Sequence, residues 1–327
     1  MSKIHPIHRG KTRVTSILNF QTGSHPSYVP IDTLSESLIS EGVAVRYVTA
    51  VPLYVKVFRK MGMYRSPRRK INPVIVPMMG FRRDFFLHGS FIGDPIPFIW
   101  DSWECNWDRW EKFFLKSKVK KVMMTSSVSV KHFSQLFPDI EFLYVPEAIK
   151  LASYSNNRDL RLREIDILEL GRKFDRWHNL VFQNENSGAF VHLYEPQVGS
   201  IIFESFDEML VGVSQARLFI CFPQSETNPE RAGVVETMTQ RYLEGLGSGC
   251  LVLGKAPQEL IDLFGYNPVI EVDWQDPLGQ VTTLLANIED YQDFCDKNFE
   301  RVKTVGDWSH RTNLILDFVT LKGFESP

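Results

Sequence analysis

The sequence predicts two α/β domains in tandem, each a doubly wound parallel sheet of Rossmann-like design, facing one another across a cleft. Three observations carry this expectation. Apolar, β-branched runs alternate with segments whose apolar residues recur at helical spacing, from one end of the chain to the other. At 327 residues the chain exceeds what one core usually holds, so two units of roughly 150 residues are expected. The charge is also divided: residues 1–150 carry 22 Lys and Arg against 12 Asp and Glu, residues 151–327 carry 15 against 27, and the sum is only −2. A basic half joined to an acidic half implies modules with different partners.

The first half opens with a strand at 13–20, a loop containing Gly23, a helix at 31–40 closed by Glu41-Gly42, and a strand at 43–48, which together make a βαβ unit. Further strands are expected at 73–78, 97–100, 121–125 and 142–145. The polar Ser-Asn-Asn stretch after Pro146 marks the boundary, placing an N-terminal domain at 1–150 and a second domain at 151–305. In the second half strands are expected at 165–170, 189–194, 200–203, 218–222, 250–253 and 269–272. Helices fit 206–216, 238–246 and 257–264, with a long helical tail from about 278. Its final part, 306–327, is expected to cross back to the first domain with Trp308 as packing anchor.

Composition removes several classes. With 43% hydrophobic and 23% charged residues the chain is neither disordered nor fibrous. Cys105, Cys221, Cys250 and Cys295 form no CxxC pair and read as buried thiols of a reducing compartment. No secretory leader and no apolar run of about 18 residues is present, so a cytoplasmic or membrane-surface protein is expected. Neither half has G-x-G-x-x-G or a P-loop after its first strand, which disfavours a nicotinamide dehydrogenase and a P-loop kinase.

Residues 229–254 are the densest signal. Thr237-Met238-Thr239-Gln240 has the form of a capping box, so a helix should start just after Thr237 and end at Gly247 and Gly249. A helix N-terminus there would offer amides and partial positive charge to a phosphate. Glu236 lies at that mouth and Glu244 eight residues on, about 12 Å along the axis if helical throughout. Carboxylates so spaced hydrogen-bond separate hydroxyls of an extended ligand.

Glu236-x7-Glu244, followed by Gly-Leu-Gly-Ser-Gly-Cys-Leu-Val-Leu-Gly, resembles the E-x7-E motif of retaining GT-B glycosyltransferases, especially the family 4 or "group 1" type. Leu168-Glu-Leu-Gly-Arg172 is similar to that family's first strand and turn in the nucleotide-binding domain. The resemblance covers most of 160–312 and implies a sugar moved from a nucleotide-diphosphate donor to a hydroxyl of a glycan or lipid-linked acceptor. It implies that Glu244 binds the ribose hydroxyls, and that Glu236 with the backbone of Thr237, Met238 and Thr239 faces the donor sugar and diphosphate. Arg172 would neutralise the leaving diphosphate. Where the family usually has Lys six positions after that Arg, this chain has His178, and the adjacent Lys173 is a substitute. No metal is expected, in keeping with the lack of a convincing Asp-x-Asp. The rivals are an epimerase or hydrolase on the same fold and a non-catalytic scaffold.

Weaker signals follow. Gly23 belongs either to a donor-side glycine loop or to a plain turn. Asp101, after the strand at 97–100, either faces the acceptor as orienting group or base, or caps a helix at 107–114. Arg231 is a ligand candidate, whereas Arg241 is expected to pair with Glu244 at i, i+3. Residues 51–63 mix aromatics and cations and precede Arg65, Arg68, Arg69 and Lys70, which fits docking on an anionic membrane surface. The competing reading buries Val55, Phe58 and Met61 in the core. No nucleic-acid recognition module is visible, so no nucleic-acid partner is expected.

Overall fold

A computed structural model describes residues 15–20, 28–68, 70–155, 159–171, 173–182, 190–197 and 200–320. The first part of the chain runs β1 (Ser16–Asn19), α1 (Val29–Ser40), β2 (Ala44–Tyr47), α2 (Leu53–Lys60), β3 (Pro73–Met79), α3 (Arg83–Ile92), β4 (Asp94–Trp100), α4 (Trp107–Ser117), β5 (Lys121–Met124), α5 (Ser127–Leu136) and β6 (Glu141–Tyr144). Its strands form one parallel sheet in the order β2-β1-β3-β4-β5-β6. Both faces are covered. Along β3, Val74, Val76 and Met78 enter one core with Phe85, Phe113 and Phe133, while Ile75 enters the other with Leu34 and Leu38. That period of two sends alternate β3 residues into two apolar layers, and it is why such central strands read as unbroken apolar runs. β5 pairs only with Phe98 and Ile99 of β4, which leaves Pro95 and Pro97 outside that ladder.

The second part runs β7 (Ile165–Glu169), α6 (Asp175–Phe182), β8 (His192–Tyr194), α7 (Phe206–Ser214), β9 (Ala216–Cys221), two short turns of helix α8 (Gln224–Thr227) and α9 (Pro229–Ala232), α10 (Gln240–Gly247), β10 (Leu251–Gly254), α11 (Gln258–Phe264) and β11 (Ile270–Glu271). Three helices follow, α12 (Pro277–Ala286), α13 (Gln292–Val305) and α14 (Ser309–Thr320). The sheet order is β11-β10-β9-β7-β8, again parallel. Phe219 and Val252 face one core while Leu218, Leu251 and Leu253 face the other.

Two expectations need correction. Residues 200–203 form no strand: Ile201 is exposed, and Phe203 packs against Gly212 of α7, so the segment serves as a helix lead-in. The helical tail is broken, at Asn287 between α12 and the turn before α13 and at Gly306 before α14. The chain crosses between the sheets twice, and the crossings touch: Ile149 N–H donates to Gly306 O at 2.9 Å and Trp308 N–H to Ile149 O at 3.1 Å. Beyond that point Trp308, Ile315 and Val319 join the core of the first sheet, and the Trp308 indole donates to Thr33 Oγ1 at 3.1 Å. No helix among the described residues is long and apolar enough to cross a membrane.

Candidate active site

The carboxyl ends of β4 and β5 in the first sheet approach the segment between β9 and α10 in the second, and contacts across that seam define the candidate site. Glu259, in the first turn of α11, accepts from Ser127 N–H (2.7 Å) and Ser127 Oγ (2.6 Å) on α5, and from Thr237 Oγ1 (2.7 Å) and Met238 N–H (2.8 Å). One buried carboxylate thus ties the two sheets together. It also explains a correction: Thr237 does not cap a helix, because its hydroxyl is engaged by Glu259 and lies near Thr125 O. α10 instead begins at Gln240, with Thr239 preceding it and no side-chain cap. Glu236 is consequently outside the helix, and the spacing of about 12 Å expected for a continuous helix does not apply.

The first amide of α10 is taken by a residue that sequence reasoning missed. Glu147, on the first crossing between the sheets, accepts from Gln240 N–H at 2.7 Å. Burial pushes its carboxyl up to about 8 against the pull of that amide, with Asp101, Glu259 and Glu244 adding repulsion. Glu236 accepts from Lys255 Nζ at 2.9 Å, and Lys255 also holds Glu226 at 2.7 Å. These two hydrogen bonds raise the Lys255 ammonium above its ordinary value. Lys255 directly follows β10, at the carboxyl edge where such sheets bind ligands. That position was its only signal in the sequence.

Glu244 is 4% exposed. Its carboxylate accepts from Arg241 Nη1 at 2.6 Å, the i, i+3 pair expected from sequence, and from Gln240 Nε2 at 3.1 Å, with Tyr154 OH at 3.5 Å. Burial and the nearby Glu244 charge raise the Tyr154 phenol. Arg241 in turn faces the Gly171 turn: a Cβ built at Gly171 would stand 3.8 Å from Arg241 Nε. Arg172 and Gly23 lie outside the described residues. Lys173 pairs with its neighbour Asp175 at 2.8 Å.

His178 is turned inward. Its Nδ1 lies 2.6 Å from Glu169 Oε1, and His192 Nε2 reaches the same oxygen at 2.9 Å. Burial favours the neutral Glu169 acid, but the hydrogen bonds from the two histidines outweigh it and lower the carboxyl. Among the described residues these three are the group able to hold a metal ion, with ligand atoms within 4.8 Å of one another and Glu169 Oε2 buried without a hydrogen-bond partner.

On the opposite wall Asp101 stands in the left-handed region at φ 56°. It caps no helix, since Asn106 precedes α4; its Oδ1 instead accepts from the Trp103 indole at 3.2 Å. Arg231 reaches Asp101 Oδ2 at 3.8 Å and lies 5.7 Å from the Trp103 ring centre. Beside them Glu104 accepts from Val234 N–H at 2.6 Å. Gly233 is needed for that closure: its φ is 56°, and a Cβ would overlap the Glu104 carboxylate. Asp101, Arg231, Glu236 and the α10 N-terminus therefore belong to one seam, whereas His178 and Lys173 lie at the far side of the second sheet's carboxyl edge.

No family model matches the sequence, and neither does any curated protein. Solved structures do match. Sucrose-phosphate synthase from Thermosynechococcus elongatus superposes with a TM-score of 0.59 at 12% identity, over 93% of this chain and 97% of that one. AviGT4, a glycosyltransferase involved in avilamycin A biosynthesis, gives 0.57 at 11%, over 93% and 96%. Anabaena Alr3699/HepE, solved with UDP and glucose, gives 0.57 at 8%, over 93% and 98%. The two parallel-sheet domains match the GT-B fold of these structures.

Proposed function

We propose that this chain is a glycosyltransferase, transferring a sugar from a nucleotide-diphosphate donor to a hydroxyl of a glycan or glycolipid acceptor, with retention of configuration and without a metal. The observation that carries this reading is the seam itself. The start of α10, its first amide held by Glu147, a lysine held between two carboxylates and an arginine paired across to Asp101 converge where two facing sheets end. A leaving diphosphate needs fixed cations, and Lys255 and Arg231 are the cations gathered there. In the proposed reaction the bond from the anomeric carbon to the diphosphate oxygen breaks, and the acceptor oxygen bonds to that carbon. The acceptor proton passes to a donor phosphate oxygen. Asp101 orients the acceptor hydroxyl; Glu236 and the backbone of Thr237 to Thr239 face the sugar and diphosphate, with Arg231 near them. Glu244, through its pairing with Arg241, holds the ribose side. Arg172 is assigned to the leaving diphosphate from its sequence motif, whereas His178 is engaged by Glu169 and Lys173 by Asp175.

Membrane-surface docking on the cytoplasmic face fits the exposure of Leu53, Tyr54, Val57 and Met61 among Lys56, Arg59 and Lys60. Val55 alone of that segment is fully buried. The test is a thermal-shift panel of UDP, GDP, dTDP and ADP, with CMP as control and with and without Mg²⁺. One diphosphate should stabilise the protein equally with and without metal. Glu236→Ala should then keep the shift and lose turnover; no shift from any diphosphate would defeat the reading.

A further inference from the structure

We propose that an arginine-lined cavity beside Asp101 is an anion subsite for the acceptor, holding a phosphate group that the acceptor carries. The proposal rests on the glycosyltransferase reading above. The cavity, of about 470 Å³, is lined by Arg59, Phe81, Arg82, Arg83, Asp84 and Arg109. β3 and β4 pair in register up to Met79 and Trp100, and Gly80 N–H donates to Trp100 O at 3.2 Å, so the segment entering the cavity and Asp101 leave the sheet side by side. The subsite therefore adjoins the acceptor-side wall of the seam, and its lining includes none of the residues assigned to the diphosphate.

Its chemistry is one-sided, with four guanidinium groups against a single carboxylate, Asp84, which is 3.5 Å from Arg82 Nε. Three of the four are held on aromatic faces. Arg82 lies 3.7 Å from the Phe85 ring centre, Arg83 4.7 Å from Tyr64 and Arg109 4.5 Å from Phe81. Arg83 also donates to Arg59 O at 2.8 Å, which joins α2 to α3. A guanidinium stacked on a ring keeps its N–H edge for an oxyanion, and the ring contact reduces the order it must gain on binding. α3 starts at Arg83 without a side-chain cap, adding oriented amides to the same wall. Gathering four like charges is unfavourable by itself, and a phosphate dianion offsets it. The volume exceeds that of a phosphate alone and falls in the range of small-molecule sites, so the phosphate is read as one end of a larger acceptor. A phosphorylated glycan and a lipid headgroup share this chemistry.

The test is titration of inorganic phosphate into the full chain and into the Arg59→Gln/Arg109→Gln double variant, with the shift by nucleotide diphosphate measured in parallel. Loss of two charged donors should weaken phosphate binding about tenfold or more, while the nucleotide shift is unchanged. Arg59→Lys/Arg109→Lys keeps the charge, serves as the folding control and should lose less. Equal phosphate affinity in all three proteins, or none in the wild type at 10 mM on the order of usual assay limits, overturns the subsite. Phosphate loss without any nucleotide shift defeats instead the transferase reading on which the acceptor role rests. Competition of bound phosphate by glucose 6-phosphate points to a soluble acceptor, and competition by phosphatidylglycerol vesicles to a lipid headgroup; either supports the subsite.

Discussion

Glu147→Gln isolates the electrostatics of the seam without touching its shape. The Gln240 amide donates to Glu147 Oε2 at 2.7 Å, and a Gln side-chain oxygen can accept the same bond. The carboxyl sits at about 8 in the folded protein against 4.5 for the free group. A folded-state pKa raised above the unfolded one means that the folded form keeps its proton while the unfolded chain releases it. Folding is unpenalised below about pH 4.5, loses stability as pH rises toward 8, and levels off above that. The whole difference corresponds to about 5 kcal/mol at 1.36 kcal/mol per pH unit. Partial contact with water and relaxation at the seam reduce it, so about 2 kcal/mol is expected. Urea unfolding of both proteins from pH 4 to pH 9 reads this directly. The stability of Glu147→Gln relative to wild type should rise by about 2 kcal/mol between pH 5 and pH 9, with the steep part below pH 8. A difference that is flat, or that falls with pH, would show that the carboxyl ionises freely and would refute the argument.

The other predictions concern the same walls. Glu244→Ala leaves Arg241 without its partner and Gln240 and Tyr154 without an acceptor, and should cost about 3 kcal/mol by chemical denaturation, with Glu244→Gln costing less. Gly233→Ala strains a left-handed position and displaces Glu104, for a loss of about 2 kcal/mol; Glu104→Ala in the same chain should recover part of it, and a strictly additive double-mutant cycle would contradict the contact. His192→Phe removes one of two donors that lower the buried Glu169 carboxyl, so the stability wild type gains as pH rises through the range where Glu169 ionises should shrink in the variant; an undiminished gain in urea unfolding would contradict the contact. Removal of trace metal with EDTA should leave the nucleotide-induced thermal shift unchanged; loss of that shift would contradict the metal-free reading.

The layers of the fold were legible because strands buried on both faces leave continuous apolar runs, and 73–78, 121–125 and 218–222 each fall within a residue or two of a strand. The segment 200–203 misled for the same reason: four apolar or small residues satisfy the pattern, although Ile201 points to water. Local rules failed where a distant side chain intervenes. The Thr237 to Gln240 capping box is sound as a pattern, but Glu259, 22 residues away, takes the hydroxyl. Arg241 and Glu244, one turn apart, were readable as a pair because their partnership is local. Glu147, Glu259 and Lys255 were not singled out, since their significance arises only when two sheets close on one another.

The touching crossings at Ile149 and Gly306 to Trp308 also set an order of events during synthesis. The first sheet's strands are all made by residue 144, yet Trp308, Ile315 and Val319 complete one of its two apolar faces. That face cannot close until residues through Val319 have been made, so the usual sequence of amino-terminal domain first is suspended here. Residues 1–150 expressed alone would expose the surface around Thr33, Leu34 and Leu38 and would aggregate, whereas a circular permutant joining α14 ahead of β1 would give that half its missing layer from the start.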